Sequence, residues 1–114
     1  MITIAGVNPD MIANNLKPAF PTHPGEVLKE EIECRGISQR ALAKEMGMSH
    51  SAVNEILNGH RPVTEKTALM FEAVLGVDAE PLLSMQLRYN MQMARDDASF
   101  MERLARLRKI AAVL

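Results

Sequence analysis

The chain has 114 residues, the length of one ordinary domain, and 47% of its residues are hydrophobic, enough for a core. Its single cysteine, Cys34, excludes an internal disulfide and suits a reducing cytoplasm, so we expect a cytoplasmic protein. The sequence shows no signal-peptide pattern and no run of about 18 apolar residues, so no membrane association is expected. Abundant Ala, Leu, Met, Glu and Lys predict an all-α fold.

The net charge of −1 is unevenly distributed along the chain. Residues 1–34 hold two lysines and five acids (−3), residues 35–67 hold five basic and three acidic residues (+2), and residues 68–114 hold six of each (0). The middle third is therefore the only basic part, and a nucleic-acid partner would be expected there.

Residues 1–21 are predicted to form an extended arm, because Pro9, Pro18 and Pro21 interrupt any helical period. One short turn is expected near Asp10–Leu16. The first solid helix is predicted in "HPGEVLKEEIECRG", residues 23–36, with Pro24 in its first turn and a glycine at its end. Apolar residues, including Val27 and Leu28, are expected on one stripe of it.

Ser38 is the predicted N-cap of a helix that ends at Gly47, and Ser49 caps the next, which stops at Gly59. Thr64 is expected to cap "EKTALMFEAVL", in which Leu69 and other apolar residues repeat at helical spacing. Asp78 is expected to cap a longer helix that runs to about Arg95. The tail after Asp96 either continues that helix or forms a sixth one. Five to six short helices are therefore predicted.

Residues 39–58 carry the pattern that suggests a function. Two short helices are joined by a tight turn, where Gly47 is placed to take positive φ. The apolar residues face one core and include Ala43, small enough for a close helix crossing. Such a pair is typical of a helix-turn-helix, and an ordinary helical hairpin is the alternative.

This pattern resembles the DNA-binding helix-turn-helix of the Xre and phage-repressor-like family. The residues that match its diagnostic positions are Gln39, Leu42, Ala43, Met46, Gly47, Met48, Val53 and Ile56. The resemblance implies a lambda-repressor-like domain whose second helix enters the major groove of DNA. It places the base-contacting side chains at His50, Ser51, Asn54 and Glu55.

Asn can pair bidentately with adenine and Glu can accept from cytosine, but a carboxylate near phosphates weakens binding unless a donor satisfies it. The expected phosphate contacts, which set affinity and register without reading sequence, are Gln39, Arg40, Lys44, Ser49, Arg61 and Lys66. A merely solvated surface is the alternative for Arg40 and Lys44.

No enzymatic chemistry is indicated. His23, His50 and His60 lie far apart in sequence without metal-ligand spacing, and no phosphate-binding glycine loop or nucleophile–base pair is present. We therefore expect no metal, no cofactor and no small-molecule substrate.

The wider sequence resembles the HigA-type (VapI-like) antitoxins from about Thr22 to Arg95, above all in "HPGE" and in "VNEILNG" followed by Arg61. That resemblance implies a dimer that represses its own operon and blocks a small RelE-like ribonuclease toxin. No motif assigns the toxin contacts. A free-standing Xre-type regulator and a pure protein-interaction module are the alternatives.

The resemblance divides the chain into the arm, a helix-turn-helix domain over residues 22–78, and C-terminal helices over residues 79–114. In the long helix, two adjacent apolar stripes predict a dimer face, for which the candidates are Leu83, Leu87, Tyr89 and Met91. Plain core packing is the alternative. A two-fold dimer would set two recognition helices roughly 34 Å apart on a palindromic operator. The apolar stripe of the tail, which includes Phe100 and Leu107, either extends the dimer, covers the bundle or reaches the toxin. Contact of its basic residues with the DNA backbone is a further alternative.

Overall fold

A computed structural model describes residues 21–114, and these residues form six helices without strands. They are α1 (Pro24–Arg35), α2 (Gln39–Met46), α3 (His50–Leu57), α4 (Glu65–Leu75), α5 (Ala79–Asp96) and α6 (Ala98–Ala111). The predicted all-α fold is confirmed. The predicted arm and its turn near Asp10–Leu16 lie outside the described residues, except for Pro21.

Most helix ends follow from the side chains that the sequence places there. The hydroxyl of Ser38 accepts from the backbone N–H of Ala41 at 3.1 Å, and Ser49 does the same for Ala52 at 3.1 Å. Thr64 and Thr67 form a reciprocal capping box. These local bonds confirm the predicted starts of α2, α3 and α4.

α5 begins where predicted, with Asp78 in the N-cap position, but the expected capping bond is absent. The side chain of Asp78 makes no capping bond, and the N–H of Ala79 instead donates to the Glu72 carboxylate of α4 at 2.9 Å. A residue from the preceding helix therefore caps α5. This bond ties the two helices together where the chain reverses direction.

The tail forms a sixth helix rather than continuing α5. Asp97 ends α5 and caps α6, accepting from the N–H of Phe100 at 3.1 Å. α6 packs mainly against α5, and none of its residues is buried. In contrast to the other helices, α6 contributes nothing to the core.

The core lies among α1–α5. Its largest fully enclosed side chains are Phe71, Leu28, Ile32, Leu42, Ile56, Leu57 and Val53. Ala79 and Leu82 of α5 are buried in the same cluster, so the boundary predicted at residue 78 does not separate two cores. Val27 on the apolar stripe of α1 and Leu69 of α4 are 40% and 57% exposed, because the core covers the other side of their helices.

Gln86 of α5 holds the loop that follows α3 in place by a hydrogen bond. The side chain is buried, its Oε1 accepts from the N–H of Val63 at 2.8 Å, and its Nε2 donates to Asn90 at 2.9 Å. Since a buried N–H without a partner is costly, this bond fixes the path of the loop between α3 and α4.

Candidate nucleic-acid interface

The turn between α2 and α3 sets the angle of the helix-turn-helix. Gly47 has φ +66°, in the left-handed region that a side chain disfavours. Its N–H donates to the carbonyl of Lys44, and the N–H of Met48 donates to the carbonyl of Ala43 at 2.9 Å. Met48 then packs against the core as a partly buried side chain. The chain therefore reverses direction in a turn held by its own backbone.

α3 is divided into an apolar side and a polar side. Ala52, Val53, Ile56 and Leu57 are buried, which anchors the helix in the core. On the other side His50 and Ser51 are exposed, and Asn54 and Glu55 are half-buried. The four residues predicted to contact bases therefore share the side of α3 that the core leaves accessible.

Asn54 is coupled to the first residue of α2. Its Nδ2 donates to the Oε1 of Gln39 at 2.8 Å. A primary amide has a second N–H and an acceptor oxygen, so Asn54 can still present one donor and one acceptor to a ligand. The structure thus brings together one residue predicted to contact a base and one predicted to contact a phosphate.

Glu55 and Arg61 form a second coupled pair. The Nε and Nη2 atoms of Arg61 lie 3.0 and 2.6 Å from the same Glu55 oxygen. Both side chains are about half exposed, so the pair contributes at most ~1 kcal/mol to stability. The pair matters more for the charge of this surface. The Arg61 guanidinium supplies a donor to the Glu55 carboxylate, which phosphates would otherwise repel.

The remaining predicted phosphate contacts are spread over three places. Arg40 and Lys44 are exposed on α2, Ser49 is exposed at the start of α3, and Lys66 is exposed in the first turn of α4. None of the three basic residues forms an ion pair with another described residue. Their side chains are therefore available to a polyanion.

His23 is the residue whose role the sequence did not reveal. It is 4% exposed, and its Nδ1 accepts from the N–H of Gly25 at 2.9 Å, which caps α1. A Cβ on Gly25 would lie 2.0 Å from the carbonyl oxygen of Ile56, so only glycine allows α1 to approach the end of α3 this closely. The "HPGE" stretch thus seats α1 on α3. The resemblance drew attention to these residues but did not show what they do.

Burial lowers the pKa of His23 below its usual 6.5, and the nearby Glu26 carboxylate opposes that effect. The neutral ring also fits the geometry, because Nδ1 can accept a hydrogen bond only when it carries no proton. Folding therefore favours the neutral imidazole.

The predicted dimer residues do not share one surface. Leu87 and Met91 are 62% and 44% exposed, whereas Leu83 packs partly against the core. Tyr89 lies on the α1 side, where its ring meets that of His23 edge-on at 4.9 Å. Tyr89 thus has a partner within the chain, and only Leu87 and Met91 remain as open dimer candidates.

No three His, Cys, Asp or Glu residues within residues 21–114 are grouped as a metal site would require. In the same part of the chain, no helix is both long and apolar enough to cross a membrane.

Known proteins share the helix-turn-helix fold. A helix-turn-helix family model matches residues 28–82. Virulence-associated protein I of Dichelobacter nodosus is 43% identical over 84 residues, which cover 73% of this chain and 76% of that protein. An addiction module antidote protein of the HigA family from Coxiella burnetii, whose structure is known, is 35% identical to this chain. The two structures align over 74% of this chain and 94% of that protein, with a TM-score of 0.63. The chain belongs to the HigA-type helix-turn-helix family.

A further HigA structure extends the likeness to a protein solved with DNA. The Pseudomonas aeruginosa antitoxin HigA, whose structure is known with the higBA promoter, is 27% identical to this chain. The two structures align over 74% of this chain and 90% of that protein, with a TM-score of 0.65. The resemblance predicted from the sequence is confirmed, as is the lambda-repressor-like fold. The HigA-type family consists of regulators and antitoxins, so the chain is not an enzyme.

Because folding favours neutral His23, the unfolded chain binds more protons once the pH falls below about 6.5. The contribution of His23 to stability is therefore present above this pH and is lost as the pH falls. We expect stability to decrease from pH 7.5 to pH 5.5, with a His23 contribution of at most roughly 1.4 kcal/mol per pH unit. Urea unfolding of the wild type and of His23→Asn across this range measures it. Asparagine can still cap α1 but does not titrate, so equal pH slopes for both proteins would contradict the assignment.

Proposed function

We propose that this HigA-type chain is the antitoxin of a type II toxin–antitoxin module. It binds its own operator as a dimeric repressor and neutralises a RelE-like, mRNA-cleaving toxin. The observation that carries the DNA-binding half is the polar side of α3, held outward by a buried apolar side and by two side-chain bonds to other elements. The antitoxin half is supported by the HigA-family relatives.

In this proposal α3 lies in the major groove with His50 and Ser51 near its leading end. Asn54 contacts an adenine through its remaining donor and acceptor, and Glu55 accepts from a cytosine amine. The bond from Asn54 to Gln39 restricts the amide before DNA arrives, so less conformational entropy is lost on binding. Gln39, at the start of α2, then contacts the DNA backbone with its side-chain amide.

Phosphate contacts come from both sides of α3. Arg40 and Lys44 on α2 flank one side, and Arg61 and Lys66 follow α3 in the chain, with Ser49 at its N-terminus. Each neutralised phosphate releases counterions, so affinity falls steeply with salt. Glu55 holds the guanidinium of Arg61, which keeps further N–H groups for a phosphate oxygen.

A dimer is proposed because one such domain presents a single recognition helix. Two-fold pairing would double the contacts and match a palindromic operator with half-sites about one helical turn apart. Leu87 and Met91 supply exposed apolar surface for it on α5.

Asn54→Ala is expected to reduce the preference for operator over unrelated DNA by ~1–3 kcal/mol, because a bidentate base contact is lost. Fluorescence anisotropy with a duplex from upstream of the gene and with a shuffled duplex gives both affinities. Gln92→Ala is the matched control, since it removes an amide on α5 whose bond to Asp96 is exposed. An unchanged operator preference in Asn54→Ala would show that α3 is not docked as proposed.

Arg61→Ala is expected to weaken binding to operator and shuffled DNA alike and to reduce the salt slope by about 1, the signature of one lost phosphate contact. The variant also leaves the Glu55 carboxylate without its donor, so adding Glu55→Gln should recover part of the affinity. Arg35→Ala is the control, because it breaks a 2.6 Å surface ion pair with Glu31 away from α3. Equal losses in Arg35→Ala and Arg61→Ala would mean that only overall charge matters.

The antitoxin half is tested with the product of any short reading frame that adjoins the gene. We expect that product to arrest growth alone, and co-expression with this chain to restore growth and allow co-purification. Asn54→Ala serves as the control that should still neutralise the toxin, because its defect lies on the DNA side. Specific operator binding without any such toxin would instead identify a free-standing Xre-type regulator.

A further inference from the structure

α4 is apolar on two opposite sides. Its inward side, with Ala68, Phe71 and Leu75, is buried in the core. The residues exposed on the outer side are Leu69 (57%), Met70 (36%), Val74 (38%) and Ala73. A surface helix normally turns charged residues to solvent, and a helix that is apolar all round is normally covered.

Few charges interrupt this outer side. Of the three charged residues in α4, Glu65 and Lys66 lie in its first turn. The third, Glu72, accepts a hydrogen bond from the N–H of Ala79. The outer patch therefore extends over about two turns without a charge of its own. Contiguous apolar surface of this kind marks an interaction site rather than scattered exposure.

The patch adjoins the exposed stripe of α5. Glu72 meets the first residue of α5, while Glu65 lines one cleft together with Leu83 and Leu87. α4 and α5 thus run antiparallel, with this side of α4 beside the stripe. Leu69 follows Glu65 by four residues, so it lies on the same side, one turn further. The apolar side of α4 therefore borders Leu87 across the cleft that Glu65 and Leu83 line, and Met91 continues the stripe one turn further along α5.

We propose that this α4–α5 face, formed by Leu69, Met70, Ala73, Val74, Leu87 and Met91, is the surface on which a second copy of this chain docks. The inference rests on the proposed dimer and extends its interface onto α4, a helix that the sequence did not single out for the dimer. A two-fold contact sets the same patch against itself, which suits an uncharged apolar centre.

The charges around the face favour a second copy over a basic toxin. Glu65 and Lys66 stand side by side at its α4 end, and Arg88 and Arg95 line the groove beside Leu87 and Met91. A second copy can therefore set its Glu65 against these basic side chains, whereas a basic partner would be repelled by them. A basic ribonuclease would instead be matched by a surplus of acids, which this face lacks.

The position of α4 also suits a DNA-binding dimer. α4 packs mainly on α5 and α2, so docking on its outer side leaves the polar side of α3 uncovered. Lys66, a proposed phosphate contact, begins the same helix. The dimer axis would then pass near the DNA side of both domains.

Leu69→Asp tests the proposal in the full chain. A carboxylate in a self-matched apolar face should weaken dimerisation by ~tenfold or more, measured by sedimentation velocity over a concentration series. Because Leu69 is 57% exposed, the thermal midpoint and helical content should stay near those of the wild type. Leu87→Asp should act alike on α5. Val27→Asp is the control, an equally large change at a 40% exposed apolar residue of α1.

The outcomes separate this inference from the proposed function. A wild-type chain that binds operator as a monomer would overturn the proposed dimer itself. If the wild type is dimeric and Leu69→Asp is dimeric too, only the extension onto α4 is overturned. This holds whether or not Leu87→Asp still forms dimers. A Leu69→Asp chain that remains dimeric but no longer captures the toxin would also overturn it, since the face would then serve another partner.

Discussion

Gly25 lies against the last turn of α3, so close that a methyl group at its Cα would collide with the carbonyl oxygen of Ile56. This contact determines where the recognition helix sits relative to the rest of the bundle. His23 supports it from two directions, capping α1 through Gly25 and meeting Tyr89 of α5 with its ring. Because interiors are close-packed, a displacement here would be passed on to α3 rather than absorbed locally.

The apolar and polar sides of α3 have different roles. The buried side fixes the position of the helix, and the polar side is then organised by bonds to neighbouring elements. Asn54 is held by Gln39 from α2, and Glu55 is held by Arg61 from the loop that follows α3. Gln86 secures that same loop from α5 through the N–H of Val63. The proposed DNA-binding surface is therefore supported by elements outside α3, and one of them, α5, contributes none of the proposed DNA contacts.

The regions that the core leaves uncovered differ in chemistry. The polar side of α3 carries groups suited to base edges, whereas the outer side of α4 and the stripe of α5 are apolar. α6 also keeps Phe100 and Leu107 exposed, because it leaves the bundle after Asp97. A chain of this size cannot bury all its apolar residues in one core, and the surplus is gathered on surfaces suited to other proteins.

The sequence by itself determined the helices, the caps of α2, α3 and α4, and the turn at Gly47, because these depend on residues within a few positions of each other. It also determined the family and the set of residues on the polar side of α3, since helical periodicity separates that side from Val53 and Ile56. Only the tertiary structure decided which partner each of those residues has. It showed that Glu72 rather than Asp78 caps α5, that Tyr89 faces His23, and that Leu69 lies outside the core. Each of these depends on how two helices pack, and the spacing along one helix does not specify which of its apolar sides a neighbour covers.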